Sequence, residues 1–138
     1  MHFHKVGETV TVFPWEITLQ SVSVVEPNTI DHYEERFVNL KPGSHFLVLN
    51  QHIKNISSKL QPLAGMQFNL QDKDGNASFE SAGSLLGWEY VGALGGPISP
   101  SMQQQGQNIS VVPIATHTFY WSYTTNDNKQ QVMWEIDV

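Results

Sequence analysis

Apolar residues recur at every second position through most of the chain, and no stripe at helical spacing runs beyond about two turns. The longest such run spans residues 44–57, between a Pro42-Gly43 turn and an Asn55-Ile56-Ser57-Ser58 loop. Leu47, Leu49 and Ile53 fall on one side, Phe46 and Val48 on the other. The pattern predicts a strand central in its sheet at the first end and half-solvated at the second. Met66 to Leu70 reads as another strand running into an Asp74-Gly75 hairpin turn.

Val6 to Val12 alternates and leads through Phe13-Pro14 into a run from Trp15 to Val25. Within that run the apolar phase moves from Trp15, Ile17 and Leu19 to Val22 and Val24, which implies a β-bulge or a strand crossing between sheets. Residues 27–43 form a polar connection with room for one helical turn between Ile30 and Phe37, and a short strand is expected from Ala77 to Ser81. Asn108 to Ile114 is a further strand. Phe119, Trp121 and Tyr123 then alternate against Val132, Trp134 and Ile136 across a polar turn, the signature of a terminal hairpin.

One segment breaks the pattern. From about 84 to 106 an insert, apolar between Leu85 and Ile98, is interrupted by glycine and proline and cannot hold a long regular element. Loops of this length are usually functional. The whole 138-residue chain is expected to form one domain, large enough to bury a core without staples. Thirteen acidic residues face seven scattered lysines and arginines, with no basic stripe, which argues against a nucleic-acid or anionic-membrane partner. There is no cysteine, so disulfides, thiolate nucleophiles and zinc–thiolate sites are excluded. No apolar run is long enough to span a bilayer. Met1-His2-Phe3-His4 opens without a signal core, as in a cytoplasmic protein or a mature segment whose export signal has been removed.

The order Val6-Gly7-Glu8-Thr9-Val10, Trp15 to Val25, Pro42-Gly43-Ser44-His45-Phe46-Leu47-Val48-Leu49, Ile53-Lys54-Asn55-Ile56-Ser57 and Phe68-Asn69-Leu70-Gln71-Asp72 ahead of Asp74-Gly75 resembles a bacterial family. It is the family of telokin-like, immunoglobulin-like domains of unknown function found in exported proteins and lipoproteins, akin to the mycobacterial immunoprotective extracellular antigen. The likeness covers about residues 6–80 and, loosely, the final hairpin. It implies an all-β, immunoglobulin-like antiparallel β-sandwich of about seven or eight strands, an extracellular or cell-envelope location, and no catalytic residue to carry over. The apolar insert and Gln51, where an aliphatic residue would continue the stripe, depart from it.

Candidate chemistry is sparse. Asp72-Lys73-Asp74-Gly75-Asn76 begins like a calcium loop, but Ala77 and Gly83 stand where that loop needs its glycine and its bidentate glutamate. Six histidines invite a metal reading. His2 and His4 share a side, whereas His45 and His52 face opposite ways, and without cysteine a copper site would combine histidine with Met66, Met102 or Met133. Separate, individually satisfied histidines are the simpler expectation, with no cofactor. Glu16, Glu80, Glu89 and Glu135 are the carboxylates available to a small hydrolase, but no spacing singles out a pair, and Asp31-His32 near Ser44 or Ser57 is no better. Trp15, Trp121 and Trp134 are expected in the core. Trp88 and Tyr90, with Leu86 and Leu94, lie in the insert without periodicity to explain them and are the expected binding residues for a protein or glycan at the cell surface. The expected function is a non-catalytic interaction module; a His/Met metal-handling envelope protein is the alternative.

Overall fold

The computed structural model describes residues 2–26, 42–64, 67–81 and 94–138. Among these it contains eleven strands and no α-helix: β1 (Phe3–Lys5), β2 (Thr9–Val12), β3 (Trp15–Val25), β4 (Ser44–Asn55), β5 (Gln61–Leu63), β6 (Phe68–Asp72), β7 (Glu80–Ser81), β8 (Gly96–Ile98), β9 (Gln103–Pro113), β10 (Thr118–Thr124) and β11 (Gln131–Asp137). One sheet has the order β1-β11-β10-β6, the facing sheet β2-β3-β4-β9-β7, and β5 pairs β8 in a two-stranded ribbon. The fold is an all-β sandwich. Every pairing is antiparallel except β1 with β11, which run parallel. The expected helical turn at Ile30 to Phe37 lies outside the described residues.

More strands appear than the seven or eight expected, for local reasons. Val6 to Val12, expected as one strand, is divided: Gly7 takes φ +98°, a conformation that suits glycine, and turns the chain from β1 in one sheet to β2 in the other. Gln103 to Gln107, too polar to read as a strand, extends β9 because β4 offers it a full ladder of partners from Lys54↔Gln103 to Ser44↔Pro113. The Asp74-Gly75 turn exists, with Gly75 at φ +85°, but it does not close a hairpin. The Asp72 amide donates to the Asn76 carbonyl and the Gly75 amide to the Asp72 carbonyl, closing a small loop. Beyond it the chain leaves β6, paired with β10, for β7, paired with β9 in the other sheet.

The phase shift in β3 is a bulge. Register passes from Leu19↔Gln51 to Ser21↔Asn50, so Gln20 is the extra residue, and Val22 and Val24 return to the face of Trp15, Ile17 and Leu19. β4 lies between β3 and β9, and its first half is buried on both sides: Leu47 and Leu49 face the other sheet, while Phe46 and Val48 are buried with Ile109 on the reverse face. The main core joins Trp15, Ile17, Leu19, Leu47, Leu49 and Ile53 to Leu70, Phe119, Trp121, Tyr123, Trp134 and Ile136. The terminal hairpin supplies most of the second set in register, Phe119↔Ile136, Trp121↔Trp134 and Tyr123↔Val132.

Polar groups inside this core are paired across the gap. Gln51, 1% exposed, accepts a hydrogen bond from Trp121 Nε1 at 3.0 Å and donates to Asn108 Oδ1 at 2.6 Å. Trp134 Nε1 donates to the Glu8 carbonyl at 3.2 Å. The Tyr123 hydroxyl accepts from Gln67 at 3.1 Å. Asn55, wholly buried at the end of β4, donates to the Lys59 and Ile98 carbonyls and accepts from the Ser57 amide and hydroxyl, binding the 57–59 loop and β8 to the sandwich.

Two predictions follow from this arrangement. Leu49→Ala and Ile53→Ala should each cost about 2–5 kcal/mol in chemical denaturation. Gln51→Leu should cost about 1–3 kcal/mol by orphaning the Trp121 N–H, and adding Trp121→Phe should restore part of that loss because both ends of the bond are then apolar; strict additivity would show that the bond carries nothing. Burial pushes the Tyr123 hydroxyl above the ordinary tyrosine value, against the lowering effect of Trp15 and Gln67. The folded chain therefore keeps a proton that the unfolded chain releases at about pH 10. Stability should be complete below that pH and fall as pH rises toward the folded value, and Tyr123→Phe should flatten the alkaline decline seen in thermal melts.

Candidate functional site

Of the residues expected to bind a partner, Leu86, Trp88 and Tyr90 lie outside the described residues. Leu94 does not present a contact surface: it is 4% exposed and belongs to the core cluster with Ile98 and Leu63. The backbone beside it is clamped, with the Gly95 amide donating to Gln104 Oε1 and the Gln104 amide returning a bond to the Gly95 carbonyl. The end of the insert is thus built into the sandwich through β8, whose Pro97 opposes Pro62 of β5.

Pro62 also lines a cleft of about 380 Å³ at that end of the molecule. Phe13, Pro14, Trp15 and Tyr123 contribute its aromatic and apolar wall, and Gln61 and the β10–β11 turn, through Thr125, Asn126, Asp127, Lys129 and Gln130, its polar wall. Phe13 is 68% exposed on a turn with a cis Phe13-Pro14 peptide bond. The β10–β11 turn is held by its own hydrogen bonds. The Thr125 hydroxyl donates to Asp127 Oδ1 at 2.6 Å, the Lys129 amide donates to the same oxygen at 3.0 Å, and Asn128 takes φ +59°. The bond from Thr125, and then that from Lys129, holds the Asp127 carboxyl below the ordinary carboxylate range. The wall therefore presents a fixed anion and several amides beside apolar rings. Alternation in sequence does not show this cleft, since its sides come from the β2–β3 turn, β5 and the β10–β11 turn.

Of the carboxylates considered for hydrolysis, Glu16 and Glu135 are separated by the fold. Glu16 alternates with core residues of β3 and Glu135 with core residues of β11, so the two occupy opposite outer faces of the sandwich. Glu89 lies outside the described residues. Asp72 Oδ1 already accepts the Asp74 and Asn76 amides, each at 2.9 Å, and serves the loop that contains it.

Among the described residues, His45, His52 and His117 are apart from one another. His45 Nδ1 lies 3.1 Å from Glu26 Oε1, His52 Nε2 2.8 Å from Gln103 Oε1, and the unbroken β4–β9 register keeps the two on opposite faces. His117 contacts the Val138 carbonyl, and His32 is outside the described residues. His2 and His4 behave differently. They share a side of the N-terminal segment, as their spacing predicts, with ring centroids 4.7 Å apart. Glu8 completes a group whose potential ligand atoms all lie within 4.8 Å of one another. Glu8 is the member that sequence spacing did not expose, because the Gly7 turn folds it back beside His4. Its carboxylate accepts the Lys5 amide, and this bond, then His4, holds its pKa below the ordinary glutamate value. Met133 is the register partner of Phe3, on the face opposite His4.

Among the described residues no helix is long and apolar enough to cross a membrane. Several solved structures share the fold. The yjhA protein from Bacillus subtilis superposes with a TM-score of 0.72 at 14% identity, covering 98% of this chain and 100% of its own. A secreted protein from Mycobacterium tuberculosis, MPT63, gives 0.62 at 15% identity over 97% of this chain and 96% of its own. An uncharacterized β-sandwich protein from Clostridium difficile 630 gives 0.52 at 14% identity over 97% and 94%. No curated protein sequence matches the chain. The family resemblance read from the strand order is matched by a family model spanning residues 4–131, and the chain belongs to DUF4352, a family of domains of unknown function.

Proposed function

We propose that this domain is an exported, non-catalytic binding module that holds a cell-surface partner at the end of the sandwich carrying the Phe13 cleft. The observation that carries this reading is the composition of the cleft, which exposed Phe13, Pro14 and Pro62 line together with amide, hydroxyl and carboxylate groups. An apolar ring face beside fixed hydrogen-bonding groups suits a sugar ring, which has apolar C–H faces and a rim of hydroxyls. A glycan of the cell envelope is therefore the partner favoured over a protein. Leu86, Trp88 and Tyr90 are a further contact in this reading, because the insert that contains them ends at β8, whose Pro97 opposes the cleft residue Pro62. The secreted neighbour of the same fold supports an extracellular or envelope location. The separation of Glu16 and Glu135 onto opposite faces supports a non-catalytic role.

Titrating the labelled domain with soluble fragments of envelope polysaccharide should move the amide resonances of Asp127, Lys129 and Gln130. Phe13→Ala should weaken this response about five- to thirtyfold, since a stacked aromatic contributes on the order of 1–2 kcal/mol, while leaving the melting temperature nearly unchanged at so exposed a position. Trp88→Ala and Tyr90→Ala should weaken capture by intact cells. Resonances that stay fixed at millimolar glycan, or a Phe13→Ala variant that binds as well as the parent, would exclude the glycan reading; capture abolished by protease treatment of the cells would point to a protein partner.

A further inference from the structure

We propose that His2, His4 and Glu8 form a binding site for a late first-row divalent metal ion, Cu²⁺ or Zn²⁺, at the seam between the two sheets. The donor set selects the metal class. Two imidazoles and one carboxylate suit copper and zinc, whereas calcium and magnesium require a shell of oxygens. All three ligand atoms lie within 4.8 Å of one another, the spread that one ion can gather with small rotations of exposed side chains. His4 Nδ1 and Glu8 Oε2 are 3.4 Å apart. That distance is long for an N–H···O hydrogen bond. It agrees with the roughly 3.3 Å edge of a tetrahedron whose metal–ligand bonds are about 2.0–2.1 Å.

The scaffold around these ligands is set before any ion arrives. β1 is the outermost strand of the four-stranded sheet and β2 that of the five-stranded sheet, so residues 6–8 cross the edge of the sandwich. The Gly7 amide donates to the Leu19 carbonyl at 2.7 Å, the Glu8 amide to the Lys5 carbonyl at 3.0 Å, and Trp134 Nε1 to the Glu8 carbonyl at 3.2 Å. The second carboxylate oxygen of Glu8 accepts the Lys5 amide at 3.1 Å, leaving the first directed at His4. Parallel pairing with β11 fixes His4 opposite Trp134, with ring centroids 6.0 Å apart. A carboxylate oriented by a backbone amide and an imidazole held against an indole are the supporting contacts that a metal site needs to hold its ligands in place. Three protein ligands on an exposed edge leave coordination positions for water or for a donor from a second molecule.

The test is a titration of untagged, full-length protein with Cu²⁺ and, separately, Zn²⁺. Trp134 lies close enough to His4 that bound Cu²⁺ should quench its fluorescence, saturating at one ion per chain, and Zn²⁺ should raise the melting temperature by selective binding to the folded state. His4→Gln and Glu8→Gln should each weaken apparent affinity about tenfold or more. His52→Gln and His117→Gln should leave it unchanged. His2→Gln supplies an independent variant, since His2 is exposed and precedes the first strand, and it should fold and lose affinity as well. Binding that survives His2→Gln and His4→Gln, that follows His52 or His117 instead, or that never reaches one equivalent would overturn the assignment. Partner capture through the Phe13 cleft is a separate measurement, and its outcome does not bear on this one.

Discussion

Two indoles in the core, Trp121 and Trp134, each carry an N–H that needs an acceptor, and the position of one sheet over the other depends on satisfying them. A buried indole N–H without an acceptor costs on the order of 1–3 kcal/mol. Trp121 on β10 reaches across to Gln51 on β4, and Trp134 on β11 reaches the Glu8 carbonyl in the connection that enters β2. The first bond runs from sheet to sheet, and the second ties the four-stranded sheet to the crossing that leads into the other. Apolar burial alone would tolerate a slide of one sheet over the other, because dispersion and hydrophobic forces are non-directional. Directional bonds at separate places along the gap remove that freedom.

The same requirement accounts for Gln51 in a stripe of aliphatic residues. Its side chain takes the Trp121 proton and passes its own to Asn108, so the polar atoms are disposed of in a chain of two bonds. An aliphatic residue there would pack well and leave the indole unpaired. Asn55 plays a comparable part at the end of β4, where four bonds to backbone and serine groups close the loop that follows and hold β8. Two short strands that contribute little buried area, β5 and β8, are thereby kept in place next to the cleft.

Both surfaces with chemical potential lie at edges and connections, since the sheet interiors are committed to packing. The seam at Gly7 gathers His2, His4 and Glu8, and its geometry rests on the bond from Trp134 that also positions the sheets. The end bearing Phe13 gathers two turns and strand β5 around one cleft. Among proteins that share the sandwich at 14–15% identity, connections and edges are the parts that can vary without disturbing the core, and a fold of this kind does not by itself assign a function.

Period-two alternation was sufficient to determine the all-β class, the inward face of β4 and the terminal hairpin, because each depends on neighbours along the chain, while for β3 it marked a phase shift that only the register with β4 resolved as a bulge. The aromatic core residues Trp15, Trp121 and Trp134 were legible for the same reason. What alternation could not carry was the pairing between distant strands. The Asp74-Gly75 turn has the local signature of a hairpin, yet β6 and β7 end in different sheets, since the partner of each is chosen by long-range packing. The polar run at Gln103 became strand only because β4 supplied a ladder. Leu94 looked like surface in a glycine-broken segment and is core, because burial is decided by what lies across the gap and not by local periodicity. His2 and His4 announced a shared side by their spacing, whereas Glu8 joins them only through the positive φ of Gly7, and the Phe13 cleft exists only once two turns and strand β5, far apart in sequence, are brought to one end.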